Sequence, residues 1–587
     1  MLYKKEDELN SILDYIEKED FVLAKSKLNQ LLITYPNDYI LENVYGFVLA
    51  KENNYTDAIF RFRKSININN SFADGYYNLA SLLTKIGLDG EAIDNFKKAI
   101  SIKPNYFEAY YSLANTYLKT SNFLEADKVY RICLSIRPNS IEALNNFGIN
   151  LTNEKKFDEA IDIFNRVLRL DKDYFYAHNN LGMVYYNINN FDRAITHISE
   201  ALKIKPDYAE AYNNKGISLN ELKLYDEALF NYDQAIKLKP DYAEAYNNKG
   251  TTLYELKLYD EALFNYDQAI KLKPDCYDAY FHKALIKLSL GNFEEGWNLY
   301  QYRWKKKNFK EYRHPNIKKL ETINDLNNKK VLVWYEQGFG DTIQFSRYVS
   351  KLLDIGAIVF FEVQKDLVPF FKDQFNCKVN NEVDSLEHFD FQVPLLDLPK
   401  LFNTSIKNIF FNRSYLRTQE EKKFEWEKKL NLSKNKLNIG ISVSGQPNHK
   451  RGFIRSIPLK KMESLFQEGS FFLIQKELND EDTRFLDKHK EITFVGKEID
   501  NFLDTAAIVE NMDLIISVDT SLIHLAGALG KKSFLMLSYS SDWRWLLDRN
   551  STPWYESIKI LRQKSICDWD FVINQIQLEL NNLKKDI

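Results

Sequence analysis

The chain has 587 residues, 45% hydrophobic and 27% charged, with a formal net charge of −3. That is too long for one core, and the near-neutral charge gives no sign of a nucleic-acid-binding or polybasic membrane-surface protein. No apolar run approaches the roughly 18 residues needed to span a bilayer, and the four cysteines (Cys133, Cys276, Cys377, Cys567) form no CxxC pair. The opening "MLYKKEDELNSILDYIEKEDF" is charged and amphipathic, unlike a signal peptide, so the expectation is a cytoplasmic protein with reduced thiols.

The first half is a repeat array. Residues 209–242 and 243–276 differ at four of 34 positions, and the same register extends backwards without a gap. One column reads Pro36, Asn70, Pro104, Pro138, Lys172, Pro206, Pro240, Pro274. Another reads Gly46, Ala80, Ala114, Gly148, Gly182, Gly216, Gly250, Ala284, and a third holds alanine from Ala24 to Ala262. Period 34 with small residues at these two places is the tetratricopeptide pattern: two helices pack closely only where side chains are small, and proline ends the second helix. The expectation is an α-superhelix of about eight repeats plus a capping unit over residues 1–310. Cys133 falls in a column of alanines and reads as core.

A superhelix of this kind has a concave face. The sixth position of successive first helices reads Asn78, Ser112, Asn146, Asn180, Asn214, Asn248, with asparagine also preceding it at Asn145, Asn179, Asn213 and Asn247. A side-chain amide both donates and accepts, so a ladder of them suits an extended peptide whose sequence is not read; plain repeat composition is the competing reading. After Pro274 the pattern degrades, Gly296 replaces the alanine, and Trp297 and Trp304 appear, as expected of a cap. Residues 311–328 read as a linker or wrapping segment.

From 329 onward short apolar strands alternate with amphipathic helices: "KVLVWY", "AIVFFEV", "LNIGISVS", "FFLIQK", "DLIISVD", "SFLMLS" and "IKILRQ". This alternation predicts parallel sheets covered on both sides. A polar stretch near 417–436 divides the region into halves, 329–425 and 426–587. Three post-strand loops carry unusual chemistry. The first is "EQGFGDTIQF", with Gly338, Gly340, Asp341 and Gln344. The second offers His449, Lys450, Arg451, Arg455 and Ser456. The third runs Asp519-Thr520-Ser521 into a helix bearing His524, whose free N–H groups and dipole suit a phosphate. A dinucleotide site would instead set Gly338 and Gly340 around a pyrophosphate with Glu362 on the ribose, but Ile343 and Asp341 fit that poorly.

The motifs "EQGFGDTIQFSRY", "RSIPL", "DTAA", "SVDTSLIHLAGALG" and "DWRWLLDRNSTPWY" resemble those of bacterial tetratricopeptide-repeat glycosyltransferases with a heptosyltransferase-like, glycosyltransferase family 9-type catalytic half. The layout is also similar to O-GlcNAc transferase. The resemblance implies a GT-B fold of two Rossmann-like domains, the donor held mostly by the C-terminal half, with no resident cofactor, no metal and a nucleotide-sugar as co-substrate. It implies Asp341 as general base. On the donor it implies Gly338, Gly340, Gln344, Arg455, Ser456, Gln475, Asp504, Thr505, Asp519, Thr520, Ser521 and His524, with Asp504 and Thr505 toward the nucleoside. The aromatic run Trp543, Trp545, Trp554 and Tyr555 reads as a packed lid or contact. A protein or peptide acceptor would lie along Asn78, Asn146, Asn180, Asn214 and Asn248. The alternatives are a glycan or lipid acceptor with the repeats docking partners, and a scaffold without activity.

Overall fold

The computed structural model describes residues 2–306, 309, 312–384, 387–410, 413–445 and 455–585. The chain forms two compact units, Met1–Pro240 and Asp241–Ile587.

The first unit is a solenoid of helical hairpins, from Leu2–Glu17 with Phe21–Thr34 to Ala209–Glu221 with Tyr225–Leu238. The small-residue column is a steric requirement. A Cβ on Gly46, Gly148, Gly182 or Gly216 would lie 2.5–2.8 Å from Phe62, Phe164, Ile198 or Tyr232 of the partner helix. Ala58, Ala92, Ala126, Ala160 and Cys133 are fully enclosed. Each first helix ends in a left-handed residue recurring every 34 positions: Glu19, Asn53, Gly87, Ser121, Lys155, Asn189 and Lys223, with φ between 58° and 83°. That conformation closes the turn into the second helix, and all but one of the seven carry a Cβ there.

The asparagine ladder runs between repeats. Asn78 Nδ2 donates to Asn43 Oδ1 at 3.1 Å, Asn180 to Asn145 at 3.0 Å and Asn214 to Asn179 at 3.0 Å. Asn146 donates to Tyr111 Oη and Asn115 Oδ1, each at 3.0 Å. The fifth-position asparagines Asn145, Asn179 and Asn213 are buried, whereas the sixth-position ones are half-buried.

The second unit opens with two more hairpins, Ala243–Glu255 with Tyr259–Leu272 and Tyr277–Ser289 with Phe293–Tyr300. The last of these is a cap: Trp297 packs edge-on against Phe345 and Trp543 in the core of the α/β region. Residues 312–328 do not hang as a linker. Lys318, Lys319 and Leu320 run parallel to Gln392 (Leu320 N to Gln392 O, 2.8 Å), extending the sheet because the edge it covers has unpaired backbone groups.

Among the described residues eleven strands follow: β1 (Lys330–Trp334), β2 (Ile358–Glu362), β3 (Lys378–Asn380), β4 (Phe391–Pro394), β5 (Asn438–Ser442), β6 (Ser470–Leu473), β7 (Ile492–Phe494), β8 (Leu514–Val518), β9 (Ser533–Leu537), β10 (Ser551–Thr552) and β11 (Tyr555–Arg562). One sheet has the order β3-β2-β1-β4, all parallel. The other runs β10-β11-β9-β8-β5-β6-β7, parallel except for the short β10–β11 pair. In each, the first strand lies inside and the order reverses beside it, at β1/β4 and at β5/β8. Loops leaving the strand carboxyl ends diverge at such reversals and open a crevice for a ligand.

Candidate active site

The loop leaving β1 ends in the short helix Phe339–Phe345, for which Gly338 is the N-cap and Asp341 the N3 residue; Asp341 Oδ2 accepts from Gly338 N–H at 3.0 Å. The two glycines differ in necessity. A Cβ on Gly338 would meet only Asp341, at 3.5 Å, whereas one on Gly340 would lie 2.7 Å from His524 Cδ2. Gly340 therefore lets this helix close on Ser521–Ala528, the helix that follows β8 in the other sheet. Two strand ends from separate sheets meet there.

His524 is buried, its ring 5.1 Å from and nearly parallel to Trp545, and its Nδ1 shares a 3.0 Å hydrogen bond with Tyr555 Oη. Burial, reinforced by the charge of Arg544, pulls its pKa down to about 3, so the imidazole is neutral at physiological pH. Asp519 Oδ1 lies 3.9 Å from His524 Nε2, and Asp519 Oδ2 lies 3.8 Å from Arg455 Nη1. Burial and the neighbouring Asp542 charge push the Asp519 carboxyl up to about 6, against the pull of Arg455. Thr520 is the N-cap, its Oγ1 3.2 Å from Ser517 Oγ, and Ser521 begins the helix.

The residue that ties these parts together is Arg544, in the short turn Trp543–Trp545 after β9. Its backbone N–H and Nη1 bond to Asp542 Oδ1 at 3.1 and 2.7 Å, its Nη2 bonds to Asp341 Oδ1, and its guanidinium lies 4.4 Å from the Trp543 ring. Burial opposes ionisation of Asp542, yet Arg544 outweighs it and holds that carboxyl below its usual range. The cluster thus sets Arg455 and Arg544 against Asp341, Asp519 and Asp542. Arg544 and Asp542 carry no signal in strand or repeat periodicity. The clue was an aspartate two residues before an arginine between two tryptophans, a run that reads first as packing. Trp543, Trp545, Trp554 and Tyr555 are indeed all buried.

Other expected site residues face different tasks. Gln475 Oε1 accepts from Val443 N–H (2.8 Å) and Ser444 N–H (3.2 Å) and its Nε2 donates to Ser444 Oγ and Glu477 O, fastening the loop after β5. Asp504 caps the helix Phe502–Glu510, accepting from Asp500 N–H and Asn501 N–H, and also binds Trp426 Nε1 (2.9 Å) and Lys422. Thr505 Oγ1 bonds back to Asn501 O at 3.3 Å. Gln344 is fully buried, its amide without a hydrogen-bond partner among the described residues. Arg455 and Ser456 are half-buried; His449, Lys450 and Arg451 lie outside the described residues. Glu362 bonds Arg313 and, at 2.7 Å, His314, so its carboxylate is already occupied where a dinucleotide reading would place a ribose.

The repeats define the class: Tetratricopeptide repeat models match residues 107–140, 175–208 and 243–276, and a TPR repeat model matches 82–121, 151–189 and 218–257. Such repeats imply protein–protein interaction. Protein FlbA of Caulobacter vibrioides is 23% identical over 338 residues, 51% of this chain and 54% of that protein, so the chain spans about half the length of this curated relative. Among solved structures, a tetratricopeptide repeat protein of Parabacteroides merdae is 18% identical, covering 42% of this chain and 98% of its own, with a TM-score of 0.36. YrrB, described as a TPR protein with an unusual peptide-binding site, is 24% identical, covering 38% and 98%, with a TM-score of 0.22.

Proposed function

We propose that the α/β region is a GT-B glycosyltransferase that moves a sugar, with inversion and without a metal, from a nucleotide-sugar to a hydroxyl of a protein acceptor held by the repeats. The observation that carries this reading is the closure of the Gly340-Asp341 loop on the helix of Asp519 and His524, with Arg544 bonded to Asp341, at the carboxyl ends of strands from two parallel sheets. Asp341 takes the acceptor proton as its oxygen bonds to the anomeric carbon. The bond from that carbon to the diphosphate breaks, and the nucleoside diphosphate leaves with the electron pair. Arg455, Arg544 and the N–H groups at the start of Ser521–Ala528 stabilise the departing charge.

The resting Asp341–Arg544 pair fits this sequence of events. At rest the Asp341 carboxylate is engaged by the Arg544 guanidinium, and the arriving diphosphate offers Arg544 a second anion, freeing the Asp341 oxygen for the acceptor. One set of observations favours the scaffold reading instead: Asp519 and Asp542 put negative charge beside the expected phosphate position, while Gln475 and Asp504 are committed to holding the fold.

Thermal unfolding of the full chain with UDP, ADP, GDP and CMP, each alone, separates the two. A ligand at about 100 times its Kd stabilises by roughly 2.7 kcal/mol. A rise in Tm with one nucleotide, lost in Arg455→Ala, supports the transferase. No rise with any of the four favours the scaffold.

A further inference from the structure

We propose that the turn Glu255–Lys257, in the repeat 243–276, positions the reactive cluster by holding the loop after β9 so that Arg544 meets Asp341. The transferase reading enters only through the role given to Asp341; the holding of the loop stands apart from it.

The contacts form an unbroken chain. Ser540 Oγ donates to Glu255 Oε2 at 2.7 Å, and the Lys257 ammonium lies 3.5 Å from the centre of the Tyr539 ring. Burial and the nearby charge of Arg562 draw the Lys257 ammonium below the usual lysine range, as expected of a cation covered by the loop. From the sheet, Arg562 at the end of β11 donates to Ser541 Oγ at 2.6 Å, Trp545 O at 3.3 Å and Leu546 O at 2.9 Å. Residues 539–546 are therefore gripped by the repeat turn and by the sheet, with Asp542 and Arg544 between the grips. The cap holds the facing loop in the same way. Tyr300 Oη accepts from Gln337 Nε2 at 2.7 Å, and Arg303 bonds Glu336 through two contacts of 2.8 Å, both just before Gly338. Asp341 and Arg544 are thus each set by repeat-derived side chains.

The sequence supplies its own control. The turn recurs one repeat earlier with the same residues, Glu221-Leu-Lys223-Leu-Tyr-Asp, in the first unit. Loss of the glutamate and lysine from the turn itself is common to both places; in the earlier turn Glu221 accepts from Tyr186 Oη at 3.4 Å, within the first unit.

The test is amide hydrogen exchange of the full-length protein, comparing Glu255→Ala/Lys257→Ala with Glu221→Ala/Lys223→Ala and with Lys257→Arg. The expected result is exchange in 538–546 faster by at least about tenfold in the first variant, with 336–345 following, and near-native exchange in the other two. Native exchange in 538–546 of the first variant, or an equal rise in the 221/223 variant, overturns the proposal. Should the first variant also melt the hairpin 243–272, Tyr539→Leu with Ser540→Ala removes the same two contacts from the loop side. A loosened 336–345 then sustains the proposal and an unchanged one overturns it. Nucleotide binding by the wild type is scored separately. A responsive loop in a protein that binds no UDP, ADP, GDP or CMP counts against the transferase and leaves the positioning intact; nucleotide binding with an indifferent loop does the reverse.

Discussion

The sharpest energetic conflict lies at Asp519 and His524, two buried neighbours with opposite proton preferences. Folding raises the Asp519 pKa to about 6, so between about pH 4 and pH 6 the folded chain holds a proton that the unfolded chain has released, and stability falls as pH rises through that window. Folding lowers the His524 pKa to about 3, so between about pH 3 and pH 6.5 the unfolded chain binds the extra proton and stability rises with pH. The two slopes oppose one another, which masks both in the wild type. Asp519→Asn removes one of them. We expect it to stabilise by roughly 2–3 kcal/mol at pH 7.5 and by little at pH 4.5, checked by melting at both values. Equal effects at the two pH values would contradict the buried, charged state of this carboxylate. Of this cluster, Asp341, Arg455, Asp519 and His524 were legible in the sequence because each follows a readable strand. Arg544 and Asp542 were not, because the residues that give them meaning are about two hundred positions away, at Asp341.

At the scale of elements, the repeats were legible since their period repeats the same steric demand. Seven strands were legible as short apolar runs. β3, β4, β7 and β10 were missed for a physical reason: they have two to four residues, and β4, the edge strand beside β1, contains Gln392 and Pro394. Gln392 is buried only because it accepts from Trp334 Nε1 at 2.7 Å and donates to Tyr312 Oη at 2.8 Å, partners that its own stretch does not disclose. The left-handed helix ends were equally hidden, because lysine, asparagine and serine stand where glycine is preferred. Ser121, exposed with φ 60°, is the simplest of these. Removing its Cβ relieves a strain of about 1–2 kcal/mol, partly offset by the greater freedom of glycine in the unfolded chain. Ser121→Gly should therefore stabilise the first unit by about 0.5–1 kcal/mol, measured by urea unfolding; destabilisation would show that the serine side chain supports the turn.

At the scale of the molecule, the boundary suggested by the change of periodicity at 329 is not where compactness changes. The second unit begins at Asp241, and Trp297, Tyr300 and Arg303 belong to the core of the α/β region. Arg303 is fully buried between Glu336 and Asp397. Cutting at 329 would strip these carboxylates of that guanidinium, and breaking a buried pair by removing one partner costs about 3–5 kcal/mol. The fragment 241–587 is expected to unfold in a cooperative transition, and 329–587 to expose apolar surface and bind a hydrophobic dye at room temperature. A well-folded 329–587 with a melting temperature equal to that of 241–587 would show that the cap is dispensable.

The helices Tyr225–Leu238 and Tyr259–Leu272 have the same fourteen residues, and the turns leading into them, 222–224 and 256–258, both read Leu-Lys-Leu. Losing or gaining one 34-residue module here would leave every splice with a neighbour sequence already present in the chain. Solenoid stability adds up from such nearest-neighbour contacts. The reach of the array can therefore be reset a whole module at a time, like links in a chain of fixed gauge, while the module abutting the sheets keeps its grip.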